Sequence, residues 1–175
     1  MASKIKVDTL ETANGSGTIA LSNQLSGMTT ASLPALGSAQ MPSGSVIQVL
    51  TNKGSAGLSL TSGTFITTGM SLAITPSSTS NKILAMFQSS SLTTLAANTA
   101  INVSLRRSGT QVSYTSYYTA QQAGNQTVPV GTIHTLDSPA ATTAITYEVF
   151  VQRGGVAGTV QINGPLELTL MEIKG

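Results

Sequence analysis

Lys82-Ile83-Leu84-Ala85-Met86-Phe87 places an unbroken apolar run behind a single lysine, a few residues after the turn signal Pro76-Ser77-Ser78. A short run that is apolar at odd and even positions alike reads as a strand covered on both faces, so it belongs near the centre of a sheet. Downstream, Ile101, Val103 and Leu105 alternate with Asn102, Ser104 and Arg106 and end at Ser108-Gly109. That period of two is the mark of a half-buried strand. Working outward, the same signals recur in Val46–Leu50, ended by Asn52-Lys53-Gly54, and in Leu58/Leu60, Phe65–Thr67, Met70–Ile74 and Val112–Tyr118. They return in Ile133–Leu136, in Ala144–Arg153 (broken by Gly154-Gly155), in Val160–Ile162 and in Leu166–Ile173, the last two separated by Asn163-Gly164-Pro165.

Many short strands at a spacing of roughly 8 to 12 residues, with turn residues between them, predict an all-β domain. No stretch combines a 3.6-residue apolar period with caps, and the helix-permissive window around Leu92–Ala100 is short. No repeat of fixed period is present, which disfavours a propeller or a β-helix. The expected fold is a jelly-roll-like antiparallel β-sandwich over residues 45–175, preceded by an extended N-terminal arm, residues 1–44.

The arm reads differently from the rest. Ile5 and Val7 alternate with Lys4, Lys6 and Asp8, Asn14-Gly15-Ser16-Gly17 supplies a turn, and Thr18–Leu21 offers a second short strand. From Ser22 to Gly44 small residues, glycines, Pro34 and Pro42 prevail, and the apolar side chains keep no period. Such a segment buries no core of its own and is read as lying on something else, with Ile5, Val7, Leu10, Ile19 and Leu21 as the candidate docking residues.

Composition narrows the function classes. Charged residues make up 8% of the 175, far below the usual quarter or so. The net charge of +2 is spread over scattered lysines and arginines, with Arg106-Arg107 as the one adjacent pair, and two neighbours on a strand point to opposite faces. A nucleic-acid footprint needs a clustered basic face, so no nucleic-acid partner is expected. Cysteine is absent, which removes disulfides, thiolate metal sites and thiol nucleophiles together. The opening MASKIKVDTLET carries no apolar leader, and no run reaches the roughly 18 residues of a membrane span. The expectation is a protein made in the host cytoplasm, with no membrane partner.

Catalytic chemistry finds little material. The carboxylates are Asp8, Glu11, Asp137, Glu148, Glu167 and Glu172, with none between Glu11 and Asp137. Glu148, Glu167 and Glu172 are read as outward members of strand alternations on solvated faces, Glu172 because Met171 and Ile173 flank it. His134 is the single histidine and has no companions at metal-ligand spacing. Gly15-Ser16-Gly17-Thr18-Ile19-Ala20 matches G-x-G-x-x-A, but Thr18–Ser22 alternates like a strand and no acid lies in reach, so the match is a turn. No catalytic residue, metal or cofactor is assigned.

The most site-like stretch is Tyr114–Gln126. Tyr114, Tyr117, Tyr118, Gln121, Gln122 and Asn125 combine phenol rings with amides beside a glycine-loosened loop. Such a surface stacks on and hydrogen-bonds a sugar, or lines a protein interface. The plainer alternative packs Tyr114 and Tyr118 inside and leaves the loop as a solvated connection.

Ala2–Thr12 followed by Gly15–Ile19 resembles the opening of marine and cyanobacterial phage fibre-type proteins. Further matching pieces are Gly44–Val49, Ile74–Leu84, Leu136-Asp137-Ser138-Pro139 with Tyr147, and Leu170-Met171-Glu172-Ile173. The resemblance implies a virion protein with an N-terminal attachment segment and a β-sandwich head, commonly trimeric, with no catalytic residues to carry over. The stretch from about Ser89 to Pro129 departs most from the family pattern, so no binding specificity is transferred. The expected function is therefore a non-enzymatic virion-surface component: a homotrimeric tail or head fibre-type protein. It would dock to other virion proteins by its arm and display the sandwich, with a host-surface glycan as candidate ligand. The alternatives are a capsid decoration (cement) protein, a free-standing carbohydrate-binding module and, least supported by the carboxylates, a glycan-cleaving enzyme.

Overall fold

The computed structural model describes residues 37–55, 57–96, 98–118, 126–128, 131–155 and 158–175. The chain divides into two compact units, Met1–Leu36 and Gly37–Gly175, and the described residues all belong to the second. The candidate docking residues Ile5, Val7, Leu10, Ile19 and Leu21 lie outside the described residues, as do Gln121, Gln122 and Asn125.

The described residues form a 3₁₀ turn at Ser38–Gln40 and ten strands. These are β1 (Val46–Ser55), β2 (Leu58–Leu60), β3 (Ile66–Ile74), β4 (Lys82–Thr94) and β5 (Thr99–Arg107). They continue as β6 (Thr110–Tyr118), β7 (Gln126–Val128), β8 (Gly131–Asp137), β9 (Ile145–Gly155) and β10 (Val160–Ile173). All pairings are antiparallel, in two sheets. One sheet runs β1-β10-β4, with β2 beside the start of β10 and with β7 and β8 sharing the far edge of β4. The other runs β3-β9-β5-β6. β4, which opens with the Lys82–Phe87 run, is interior to its sheet, but of that run only Ile83, Ala85 and Phe87 are buried; Leu84 and Met86, expected to be covered as well, are half-buried on the outer face.

The pairs β1·β10, β3·β9, β4·β8 and β5·β6 are nested around the Ser108-Gly109 turn. The chain thus behaves as one long hairpin wound so that successive pairs alternate between the two sheets. Between the sheets lies a single apolar core. It draws Ile83, Ala85 and Phe87 from β4, Ile101, Val103 and Leu105 from β5, Tyr147, Val149 and Val151 from β9, and Leu166, Leu168 and Leu170 from β10. Each fully buried aliphatic contributes roughly 1.5–3 kcal/mol, and the strand alternation that turns every second side chain inward is what lets a thin sandwich collect so many.

Turn residues are also used inside strands. Asn163-Gly164-Pro165, read from sequence as a break, is a bulge within the continuous β10, where the register with β4 slips between Asn163 and Leu166. Gly164 takes φ +81, and a Cβ there would collide with the Ser90 hydroxyl. Pro165 pairs only with Ser55 on the β1 side, so its missing N–H falls where the β4 ladder is already interrupted. Gly154 likewise continues β9 because its bare Cα lets Asn102 pack over it; a Cβ would sit 2.9 Å from the Asn102 amide nitrogen. The window Leu92–Ala100 is strand at both ends, in β4 and β5.

Residues 37–44, read from sequence as the end of the arm, are fastened to the C-terminus. Gly44 N donates to Lys174 O at 2.8 Å and Lys174 N to Ser45 O at 2.9 Å. The Lys174 ammonium donates to the carbonyls of Ala39 (2.8 Å) and Met41 (2.5 Å).

Candidate functional site: two polar clamps and two outward faces

Two buried polar groups hold the frame on which any surface is displayed. Glu172 has no exposed surface, which corrects its reading as a solvated outward residue. It continues the inward phase of Leu166, Leu168 and Leu170, not the outward phase opposite Met171 and Ile173. Its Oε1 accepts from the backbone N–H of Ser77 (2.6 Å), the Ser77 hydroxyl (2.8 Å) and the Asn81 amide (2.6 Å), and its Oε2 from the Gln48 amide at 2.6 Å. Burial by itself raises the carboxyl pKa; the donors from Asn81, Gln48 and Ser77 outweigh it and hold the group below the ordinary glutamate value. The carboxylate therefore ties β10, β1 and the turn after β3 together.

The second clamp joins the two sheets. Asp137 Oδ2, at the end of β8, accepts from Arg107 Nη1 at 2.6 Å and from the Tyr147 hydroxyl at 2.7 Å. Arg107 and Tyr147 stand on β5 and β9 of the opposite sheet. Burial, then the bond and charge of Asp137, push the phenol pKa far up, against a smaller lowering by Arg107, so the hydroxyl stays protonated and donates. The charged pair is partly shielded, with the two side chains 27% and 12% exposed.

Arg106, the neighbour of Arg107, points the other way, onto the outer face of the four-stranded sheet. Its guanidinium carbon lies 4.3 Å from the centroid of the Phe150 ring and 5.1 Å from that of Phe65. Phe65 in turn meets Tyr114 edge-on, with centroids 6.3 Å apart and planes at 84°. Polar side chains continue the face: the Ser104 hydroxyl donates to Gln111 Oε1 at 3.0 Å, and the Ser116 hydroxyl to Asn102 Oδ1 at 2.7 Å. Half-buried Glu148 stands opposite Arg106 in register, yet the only two ion pairs among the described residues are Lys53–Glu167 and Arg107–Asp137. Tyr114 is 49% exposed on this face. Tyr117 takes the opposite side of β6, packs against the core and donates its hydroxyl to the carbonyl of Thr132 on β8. Tyr118 closes the strand opposite Ala100. The structure thus puts Tyr114 and Tyr117 on opposite faces, and it adds Arg106, Phe65 and Phe150, whose partnership strand alternation alone does not reveal.

The outer face of the six-stranded sheet is apolar along one rung. Val49, Met171, Leu84 and Leu136 stand side by side across β1, β10, β4 and β8. Val49 is 51% and Leu136 54% exposed, and Val46, 46% exposed, adds to the same strand edge. The next rung is Thr51, Thr169, Met86 and His134, and the next Lys53, Glu167, Gln88 and Thr132. A shallow groove of about 390 Å³ lies over these rungs, between Met86, His134, Thr169 and Glu167. His134 is an exposed member of that face, and Glu167 is half-buried beside Lys53 at 3.7 Å. Among the described residues no group of three or more His, Cys, Asp or Glu side chains is arranged to hold a metal ion.

No protein-family model matches the chain, and no curated protein matches it.

Proposed function

We propose that the protein is a non-enzymatic structural subunit of a bacteriophage particle, a homotrimeric fibre-type protein of tail or head. In this reading residues 1–44 serve as its docking arm, and a jelly-roll sandwich is displayed toward the host surface. The observation that carries the assembly reading is the apolar rung Val49–Met171–Leu84–Leu136 on an outward sheet face. An isolated domain gains nothing from a row of aliphatic side chains in water, whereas a subunit covers it against a neighbour.

The jelly-roll assignment is supported by the nesting of β1·β10, β3·β9, β4·β8 and β5·β6 and by strand orders that place the members of alternate pairs in opposite sheets. The phage assignment is supported by what the resembling segments build. Gly44–Val49, Ile74–Leu84 and Leu170–Ile173 supply Gln48, Ser77, Asn81 and Glu172, which form one clamp; Leu136–Pro139 and Tyr147 supply two of the three residues of the other, whose Arg107 lies outside the resembling segments. Most of the residues of the two clamps thus fall in the segments that carry the likeness.

Light scattering on the full chain tests the assembly. The expected mass is three times the 17.8 kDa of one chain, and Leu136→Lys is expected to lower it with the far-ultraviolet circular dichroism unchanged. A wild-type monomer overturns the trimer. Antibody labelling of intact particles then separates tail fibre from capsid decoration. A free-standing carbohydrate-binding module is the second reading, favoured by the exposed Tyr114 beside Arg106; it is the better one if the chain is monomeric and binds sugar.

A further inference from the structure

We propose that the outer face of the four-stranded sheet around Arg106 and Tyr114 binds a carboxylate-bearing saccharide, the carboxylate on the Arg106 guanidinium and a sugar ring on Tyr114. The inference deepens the host-attachment role proposed above and rests on that role for its biological purpose, but its chemistry stands on this cluster alone.

Arg106 is a cation held in place without being neutralised. Two rings flank its guanidinium, at 4.3 and 5.1 Å, which fixes a side chain that would otherwise sweep a large volume. Ring faces stabilise the charge without offering an acceptor to its N–H groups. Arg106 Nε is buried without a hydrogen-bond partner, while the residue as a whole is only half-buried. Neither ion pair of the described residues involves Arg106, although Glu148 is its cross-strand neighbour. A planar, pre-positioned fork of donors that lacks an acceptor is suited to a planar anion, and a carboxylate takes it in two parallel hydrogen bonds.

The surroundings select a sugar as the carrier of that anion. Tyr114 presents about half of its surface next to the cation, braced edge-on by Phe65, and a pyranose stacks its C–H face on such a ring. Exposed Gln111 and Ser116 extend the same face with an amide and a hydroxyl, each held by a buried partner beneath it, Ser104 and Asn102, and suited to a hydroxyl-rich chain. The face is an open surface of a rigid sheet, which suits an extended polymer contacted many times by several copies, where weak single contacts add up.

The experiment is calorimetric titration of the full-length chain with an oligogalacturonate, and with its methyl ester as the charge-neutral twin. The acid is expected to bind at least about tenfold more tightly than the ester, the discrimination given by a hydrogen-bonded charge. Arg106→Gln is expected to erase that difference, and Tyr114→Ala, an exposed change, to weaken both ligands together. Equal binding of acid and ester, undiminished binding by the two variants, or absence of binding to either sugar overturns the proposal. So does tighter binding of a poly-glutamate peptide of matched charge, which would make the site a reader of acidic protein segments. Solution mass is indifferent to all of these outcomes, so a failed site and a failed trimer are told apart.

Discussion

The Tyr147 hydroxyl donates to Asp137 Oδ2 at 2.7 Å, across the gap between the two sheets, to the same oxygen that Arg107 holds at 2.6 Å. Tyr147 has no exposed surface, so its only polar atom is spent on this bond at the rim of an otherwise apolar core. The three residues come from β8, β5 and β9, and they lock the two sheets together where the nested strand pairs turn over.

Removing the phenol oxygen tests that lock. Tyr147→Phe keeps the ring and is expected to cost about 1–2 kcal/mol, the net worth of one hydrogen bond to a charged group. Asp137→Ala strands Arg107 and the buried hydroxyl together and is expected to cost about 3 kcal/mol. Urea unfolding followed by circular dichroism reads both, and equal stabilities for wild type and Tyr147→Phe would show that the bond contributes nothing.

Alkali provides an independent view of the same group. The folded phenol has its pKa raised above the ordinary 10.0, so the contribution of Tyr147 to stability is complete below about pH 10 and declines as the pH rises from there toward the folded value. The Tyr147 phenolate, isolated as the ultraviolet difference between wild type and Tyr147→Phe, is expected to appear only as the fold is lost. A Tyr147 phenolate signal in a chain with native circular dichroism would contradict it.

Glu172 gives the acid counterpart. Its folded pKa lies below the ordinary 4.5, so its contribution is present above that pH and is lost as the pH falls through the folded value. Glu172→Gln turns one acceptor oxygen into an NH₂ facing the amides of Asn81 and Gln48 or the Ser77 donors, at an expected cost of about 2–3 kcal/mol at neutral pH. The difference between wild type and variant is expected to shrink as the pH drops below 4.5. A difference independent of pH would place the effect elsewhere.

The β10 bulge is testable through one atom. Gly164→Ala asks an L-residue to hold φ +81 and pushes a methyl group into Ser90. It is expected to cost at least about 1 kcal/mol, seen as a lower urea midpoint, and Ser90→Gly in the same chain is expected to relieve the steric part but not the backbone part. Full recovery in the double variant would assign the whole cost to the clash.

The double-sided run Lys82–Phe87 stands in the interior strand β4, although Leu84 and Met86 are only half-buried on its outer side, whereas the alternating Ile101–Leu105, read as half-buried, is covered on both faces, with Asn102 and Ser104 buried as well. Glu172 shows how such reading fails. Its immediate neighbours Met171 and Ile173 suggested an outward carboxylate, whereas the longer phase set by Leu166, Leu168 and Leu170 turns it inward. Phase counted along the whole strand would have found it, because side-chain direction is a property of the strand, not of the pair of flanking residues. The turn composition of Asn163–Pro165 was equally ambiguous, since glycine and proline serve a bulge as well as a break.

Local alternation, turn chemistry and the absence of any helical period were properties of the chain itself, and they determined an all-β domain because period and turn geometry act over a few residues. Which strands became neighbours was decided only by tertiary structure. So were the meeting of Asp137 with Tyr147 and Arg107, of Glu172 with Gln48, Ser77 and Asn81, and of Arg106 with Phe65 and Phe150. Apart from Gln48, the direct partner of Glu172 in the β1·β10 pair, the residues that meet there do not share one of the nested strand pairs, and their partners are chosen by how the long hairpin winds, a choice settled by burial of the shared core and by register, not by any short stretch of sequence.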